Sequence, residues 1–509
     1  MQTVRVRIAP SPTGNLHIGT ARAALFNYLF AKKHGGVFVL RIEDTDVERS
    51  DKKYEQNIFD GLRWLGIDPD EGPLQGGPCA PYRQTERIET YQKHLDRLFD
   101  KGFAFYCFHT KEELKKEQEE LLKAKRPPLH LCEYRVMDSV EAKDMSRINT
   151  NHVIRFKTPA GKRIVFHDLI RGEIAFETDL LGDFSIARRR DMPLYHFAVV
   201  VDDIEMQITH IIRGEDHIPN TPKHLLLFEA LGFAMPQFAH LPLLLGSDRS
   251  KLSKRHGATS LEEYRAAGYL PDALVNFMAL LGWNPGGDRE IFSKEELIAA
   301  FSLEKVQKSG AVFDTAKLDW MNGEYIRKKS VAELTALCGP YFNRAALIES
   351  TDIARPYGLA MSVDLEKVVA LEQPRLKKLS EIGERTAYFF RQPEYDKKLL
   401  GWRNMTDENI KAALDLCIKI YEEKIIPKGI KSARQLQDIF FSIETRILLT
   451  LSPKIGGLEL GGGHRGFLLW PLRAALTGRK ASPGPFEIME ILGVDESLAR
   501  IRAAKKKLK

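Results

Sequence analysis

The first forty residues constrain the fold more than any other stretch. Val4, Val6 and Ile8 alternate with Arg5 and Arg7, the two-residue period of a strand. Pro10, Pro12 and Gly14 break it. From Thr20 a helical spacing runs over 21–33, with Leu25, Tyr28 and Leu29 along one apolar face. Residues 37–42 are almost wholly apolar, as expected of a strand central in a parallel sheet. Helical patterns follow at 54–65 and 85–101. Strand, helix, strand, helix predicts a doubly wound, Rossmann-like α/β domain.

The pattern changes at about residue 102. A charged helix over 111–125 and short strand-like pieces at 152–156 and 163–166 predict an α+β insertion spanning 102–185. The α/β pattern resumes at 195–201 and 207–212, and Pro219-Asn220-Thr221-Pro222 opens a helix through Leu231. A polar, lysine-rich loop occupies 248–255, and beyond it the pattern is nearly all helical. The expected division is therefore 1–101 and 186–245 for the two halves of the α/β domain, 102–185 for the insertion, 246–325 for a connecting region and 326–509 for an all-α C-terminal domain.

Composition excludes several classes. With 43% apolar residues in 509, each domain can bury a core. No apolar run approaches the ~18 residues of a membrane span, and residues 1–10 lack the core of a secretory signal. Five dispersed cysteines argue against a disulfide framework and for reduced thiols in a cytoplasmic protein. The net charge is +7, but it is unevenly placed: 326–509 holds 32 basic and 22 acidic residues, a net +10. That excess points to a polyanionic partner, most simply a nucleic acid.

Two segments carry chemistry. The first, Ala9 to Thr20, lies between a strand end and a helix start, where α/β sheets bind ligands and free helical N–H groups suit phosphate. Gly19 allows close backbone approach, and His17 can donate to a phosphate oxygen. The G-x-x-x-x-G-K loop is absent. The second, Lys251-Leu252-Ser253-Lys254-Arg255, puts three cations in five residues, suited to a triphosphate and to charge developing on it. Either alone is weak, since a basic loop is most often a solvated surface; together they are specific.

His17-Ile18-Gly19-Thr20 and Lys251-Leu252-Ser253-Lys254-Arg255 resemble the two signatures of class I aminoacyl-tRNA synthetases. Arg7-Ile8-Ala9-Pro10-Ser11, Arg41-Ile42-Glu43-Asp44-Thr45-Asp46, Val200-Val201-Asp202-Asp203, Arg213-Gly214-Glu215-Asp216-His217, Leu318-Asp319-Trp320-Met321-Asn322-Gly323 and Pro471-Leu472-Arg473-Ala474-Ala475-Leu476-Thr477-Gly478 resemble the bacterial glutamyl-tRNA synthetase family, in order along essentially the whole chain. The resemblance implies a Rossmann-like class I catalytic domain split by an acceptor-binding insertion, then a stem-contact region and a helical anticodon-binding domain. It also implies ATP-dependent activation of glutamate and transfer to tRNA(Glu), with Mg²⁺ accompanying ATP, by a cytoplasmic monomer with no membrane partner; tRNA(Gln) stays open as a second substrate.

By the same resemblance His17 and Lys254 are catalytic. ATP meets His17, Gly19, Thr20, Asp216, Leu243, Leu244, Lys251, Ser253 and Lys254. Glutamate meets Arg7, Ser11, Glu43, Tyr195 and Arg213, the two arginines suiting a dicarboxylate. Arg375 and Arg473 contact tRNA. The sequence departs from the family at Asp191, where Gly is usual, at Val199, where some members have a contacting Asn, and at Thr20, in place of the second signature His. Glutaminyl-tRNA synthetase has a β-barrel anticodon end, which the helical C-terminal third argues against. The length argues against a truncated paralogue that glutamylates a tRNA base. Intact Arg7, His17, Arg213 and Lys254 argue against a non-catalytic RNA-binding relative.

Cys107-Phe108-His109 and His130-Leu131-Cys132 are mirror-image pairs flanking the charged helix. A helix with a return loop can bring them to one tetrahedral point, and Zn²⁺ accepts two thiolates and two imidazoles. Some members of the resembled family bind zinc here through C-x-C and C-x-H pairs. In this chain His109 stands at the second Cys position and Tyr134 where the His would be, so His130 has to substitute from the other side of Cys132.

Overall fold

The computed structural model describes residues 3–125, 129–130, 132–137, 139–149, 151–345, 363–451 and 464–508. They form two compact units, 1–266 with 270–318 and 267–269 with 319–509. In the first, β1 (Arg5–Ile8) pairs parallel with β2 (Val37–Leu40), Arg7 opposite Val39. The connection is α1 (Ile18–Lys33). Its residues Ile18, Ala21, Ala24, Leu25, Phe26 and Leu29 are 0% exposed, because the helix is covered by sheet on one side and by helices Pro271–Leu280 and Lys294–Ala300 on the other. Each large side chain so buried contributes about 1.5–3 kcal/mol. The helix starts two residues before the expected Thr20. His17 is its N-cap, its ring Nδ1 accepting from the Gly19 N–H at 3.1 Å. A ring nitrogen can cap as a Ser or Asp oxygen does, a role that helix-start patterns do not assign to His.

Helices α2 (Lys52–Leu65) and α3 (Ile88–Asp100) follow. The insertion opens with β3 (Ala104–Cys107), α4 (Lys111–Lys123) and α5 (Ser139–Ile148). Its sheet has β3 beside β4 (Val153–Phe156), then β7 (Phe184–Arg189) and β8 (Met192–Pro193), all antiparallel. The hairpin between β4 and β7 joins a different sheet. β5 (Arg163–Asp168) and β6 (Gly172–Glu177) leave this sheet, and β5 pairs parallel with β10 (Gln237–Leu241) where Asp168 meets Phe238. β10 in turn lies parallel to β9 (His210–Gly214). Thr209, just ahead of β9, donates its N–H to the Arg5 carbonyl at 2.9 Å, which sets β1 alongside β9. The segment read as insertion thus lends a hairpin to the sheet of β9 and β10. α6 (Tyr195–Glu205) and α7 (Thr221–Leu231) flank β9 in sequence.

The second unit is helical, with 333–344 in helix Val331–Arg344 and further helices Leu365–Glu372, Glu381–Phe390, Asp407–Ile420, Ala433–Leu451, His464–Thr477, Pro485–Leu492 and Val494–Lys506. Among the described residues, no helix is long and apolar enough to cross a membrane. All five cysteines are free thiols.

Candidate active site

A cleft of about 540 Å³ opens at the carboxyl ends of β1 and β9. Arg7, Ser11, His17, Gly19, Thr20, Glu43, Tyr195, Arg213, Asp216, Leu243, Leu244 and Lys251 all line it, and so does Val199. The sequence motifs from four separate segments therefore meet at one place. Ser253 does not line it: its N–H and hydroxyl lie 3.1 and 3.2 Å from His256 Nδ1. Lys254 begins the short turn Lys254–His256, and its side chain lies outside the described residues.

The edge of the cleft that holds His17 and Lys251 is made by two stitched segments. With Nδ1 of His17 accepting from Gly19, the ring proton sits on Nε2 and is available to donate. Burial, then the nearby Lys251, lower the His17 pKa, keeping the ring neutral. The Ile18 N–H donates to Thr259 O at 2.8 Å, and Leu261 N–H to Leu16 O at 2.9 Å, so the first motif is fastened to the chain just beyond the basic loop. That loop is itself anchored by Leu252 N–H to Leu244 O at 2.8 Å. Lys251 lies 3.4 Å from Asp216 in an exposed pair, which leaves the ammonium exchangeable.

The floor is a buried plate of charge. Arg7 donates from Nε and NH2 to Asp203 at 3.0 and 3.3 Å. Arg41 donates to Asp203 at 2.7 Å and to Glu43 at 3.1 Å, and lies 3.6 Å from Asp202. Asp202 also accepts from Arg87 at 2.7 Å, Gln84 at 2.8 Å and Tyr91 at 3.0 Å. Arg41, Asp202 and Asp203 are 1% exposed or less. Burial pushes the carboxyls of Glu43 and Asp202 up, against the pull of Arg41, while for Asp203 the same burial is outweighed by Arg7 and Arg41, which hold it low. Val200-Val201-Asp202-Asp203 was legible as a motif; that Asp203 braces Arg7 while Asp202 holds Arg41 and Arg87 was not, because these bonds join segments far apart in sequence.

Arg213 is built differently. It is 7% exposed and its neighbours are neutral: Nε donates to His240 Nε2 at 3.2 Å, NH2 to Thr221 Oγ1 at 2.8 Å, and NH1 lies 3.2 Å from His224 Nδ1. Among the described residues it forms no ion pair. Burial pushes it down to about 10, still fully charged near neutrality. His224 lies 3.2 Å from His196, and His217 lies 3.1 Å from the hydroxyl of Tyr195, which burial pushes up to about 12. Burial and the neighbouring cations push His196 and His217 down to about 4, and hold His224 well below the usual histidine range. The pocket wall is thus an uncharged histidine cluster around one unpaired guanidinium, suited to an anionic ligand. His224 and His240 carried no sequence signal; they reach the site only through the α7 and β10 folds.

A second constellation lies in the insertion. One ligand atom each from Cys107, His109, His130 and Cys132 fall within 4.8 Å of one another. Cys107 Sγ is 3.6 Å from both His109 Nδ1 and His130 Nε2, and Cys132 Sγ is 3.7 Å from His109 Nδ1. A Zn²⁺ tetrahedron with Zn–S of about 2.3 Å and Zn–N of about 2.0–2.1 Å has edges of about 3.4–3.8 Å. His130 Nδ1 bonds Glu117 of α4, which turns Nε2 toward the sulfurs. Tyr134 sets its ring edge-on to His109, with centroids 5.1 Å apart, and stays outside the donor cluster.

In the helical unit, Arg375 ends the turn Gln373–Arg375, 3.8 Å from the buried Glu372. Arg473 lies in helix His464–Thr477 with its guanidinium 4.6 Å from the Trp470 ring; burial and then repulsion from Arg375 lower its pKa, so the two cations share a neighbourhood.

Residues 3–320 match the family model described as tRNA synthetases class I (E and Q), catalytic domain, and residues 333–425 and 462–505 match one described as anticodon binding domain. The chain is similar to the glutamate–tRNA ligase of Carboxydothermus hydrogenoformans, 46% identical over 504 residues covering 98% of this chain and 99% of that one. Glutamate–tRNA ligase 1 of Caldicellulosiruptor saccharolyticus is 44% identical, with 98% of each chain covered. A crystal structure of a glutamate tRNA ligase from Elizabethkingia meningosepticum, in complex with its amino acid, superposes with a TM-score of 0.85 at 33% identity, covering all of both chains.

Proposed function

The chain belongs to the class I tRNA synthetases for glutamate and glutamine, as a glutamate–tRNA ligase, and from that premise we propose how its residues divide the work. The enzyme activates glutamate with ATP and transfers it to the 3′-terminal adenosine of tRNA(Glu). The observation that carries the reading is that one cleft is lined both by His17 and Lys251 and by Arg7, Glu43, Tyr195 and Arg213.

Arg213 takes one carboxylate of glutamate and Arg7, braced by Asp203, contributes the second guanidinium; Glu43 receives the α-ammonium, with Ser11 and Tyr195 completing the wall. The α-carboxylate attacks the α-phosphorus of ATP and pyrophosphate leaves. A carboxylate needs no general base, so catalysis is positioning and charge stabilisation. His17 donates from Nε2 to a phosphate oxygen. Lys251 and Lys254 follow charge onto the departing pyrophosphate, while Gly19, Thr20, Asp216, Leu243 and Leu244 bound the nucleotide. Mg²⁺ bound with ATP neutralises its phosphates. A terminal ribose hydroxyl of the tRNA then attacks the acyl carbon and AMP leaves.

Arg375 and Arg473 contact the anticodon arm, in the part of the chain that carries the basic excess. The insertion holds the acceptor end, and the donor set of Cys107, His109, His130 and Cys132 fits Zn²⁺, which would hold the ends of α4 together. Charging pure tRNA(Glu) and tRNA(Gln) transcripts separately tests the reading. Charging of tRNA(Glu) with glutamate is the expected result, and none at all would overturn it; tRNA(Gln) charging decides the breadth of substrate.

A further inference from the structure

Arg7 and Arg213 face the same cleft, yet one is tied to a carboxylate and the other is not. A guanidinium held only by neutral acceptors keeps its charge for a ligand, but neutral bonds fix it less firmly. The acceptor facing its Nε, His240, is 0% exposed, and behind it stands Asp168, also 0% exposed. Asp168 Oδ2 lies 2.6 Å from His240 Nδ1, and Asp168 Oδ1 accepts the backbone N–H groups of Ile170 at 2.9 Å and Arg171 at 2.8 Å. An ionised Asp168 cannot donate, so His240 carries its proton on Nδ1. That leaves the lone pair on Nε2, where Arg213 Nε arrives at 3.2 Å.

We propose that Asp168 and His240 are positioning residues for glutamate. Asp168 selects the His240 tautomer, and His240 aims the Arg213 guanidinium at the substrate carboxylate without neutralising it. The arrangement places a negative charge one imidazole away from the arginine: close enough to orient it, too far to compete with the ligand. Asp168 comes from β5 and His240 from β10, so the device depends on the hairpin that the insertion lends to the sheet of β9 and β10.

The inference rests on Arg213 holding glutamate, and Asp168→Asn tests it. The backbone N–H groups of Ile170 and Arg171, joined by that of His240, which lies 3.3 Å from Oδ1 and 3.1 Å from Oδ2, fix the amide oxygen where Oδ1 is. The amide N–H₂ then faces His240 Nδ1 and drives the ring proton to Nε2, against the Arg213 N–H. The glutamate KM should rise about tenfold or more while the ATP KM stays within about twofold. Nitrogen-15 spectra of histidine-labelled enzyme should show His240 as the Nδ1–H tautomer in wild type and Nε2–H in the variant. A glutamate KM within about twofold of wild type, or equal rises in both KM values with a lowered Tm, would overturn the role. So would an Nε2–H tautomer in the wild-type spectrum, a readout that needs no variant to fold. Arg213→Gln separates the levels. If it raises the glutamate KM and Asp168→Asn does not, only the positioning role fails; if it leaves KM unchanged, Arg213 does not hold glutamate and the inference falls with it.

Discussion

Mild acid should destabilise the catalytic unit through its histidine cluster. His196 and His217 titrate near 4 in the folded chain against about 6.5 for a free ring, with burial the largest cause in each. A proton on either would add a cation beside Arg213, which has no carboxylate to share. The unfolded chain therefore binds these protons first. Stability is full above about pH 6.5 and is lost as pH falls toward the folded value. At pH 5.5 each ring costs about 1.4 kcal/mol, about 3 kcal/mol together, and partial exposure lowers the sum toward about 2. His224, also depressed by burial and Arg213, adds in the same sense. Glu43 and Asp202, held up by burial, act in the opposite sense, so a variant with His196 and His217 both Gln is what isolates the histidines. Urea unfolding of the intact chain, followed by hydrogen exchange of α1 amides, reports this unit. A loss under about 0.5 kcal/mol from pH 8 to 5.5, or an equal loss when His196 and His217 are both Gln, would refute the reasoning.

Lys254→Ala should slow glutamate activation about a hundredfold with little change in glutamate KM; turnover within about threefold of wild type removes Lys254 from catalysis. Arg375→Gln should change discrimination between tRNAs that differ at one anticodon base and leave pyrophosphate exchange kinetics for ATP intact, whereas equal losses for all tRNAs would mark a phosphate contact. Protein purified without chelator should contain about one zinc per chain, lost in Cys132→Ser; less than about 0.2 zinc, with the variant equally stable, would empty the Cys107–Cys132 site.

The local periods of β1, α1 and β2 were legible because each is a short-range property of consecutive residues, and the two signatures located the cleft because they flank it. The placement of 163–177 was not. A hairpin reads the same whichever sheet it joins, and its attachment to β10 rests on Asp168 and Phe238, 70 residues apart in sequence. For the same reason the sequence motifs pointed to Arg7 and Arg213, which line the cleft, but not to what holds them. Asp203, 196 residues from Arg7, and His240, 27 from Arg213, make their bonds only after the chain has folded back. The four-ligand cluster was readable because its two pairs are close in sequence, with one helix between them.

The plate beneath the cleft has a bearing on how this sequence can drift. Arg7, Arg41 and Arg87 face Asp202, Asp203 and Glu43, three guanidinium groups against three carboxyl groups, all nine-tenths or more buried, with only Arg7 and Glu43 lining the cleft. Replacing any one member strands its partner, at about 3–5 kcal/mol for a buried pair. Viable change there has to come in compensating pairs, a much rarer event than a single substitution. Arg213 stands outside that lock, since no carboxylate depends on it. On the proposal that Arg213 holds glutamate, a single substitution there would alter which side chain the pocket accepts while the plate stays intact.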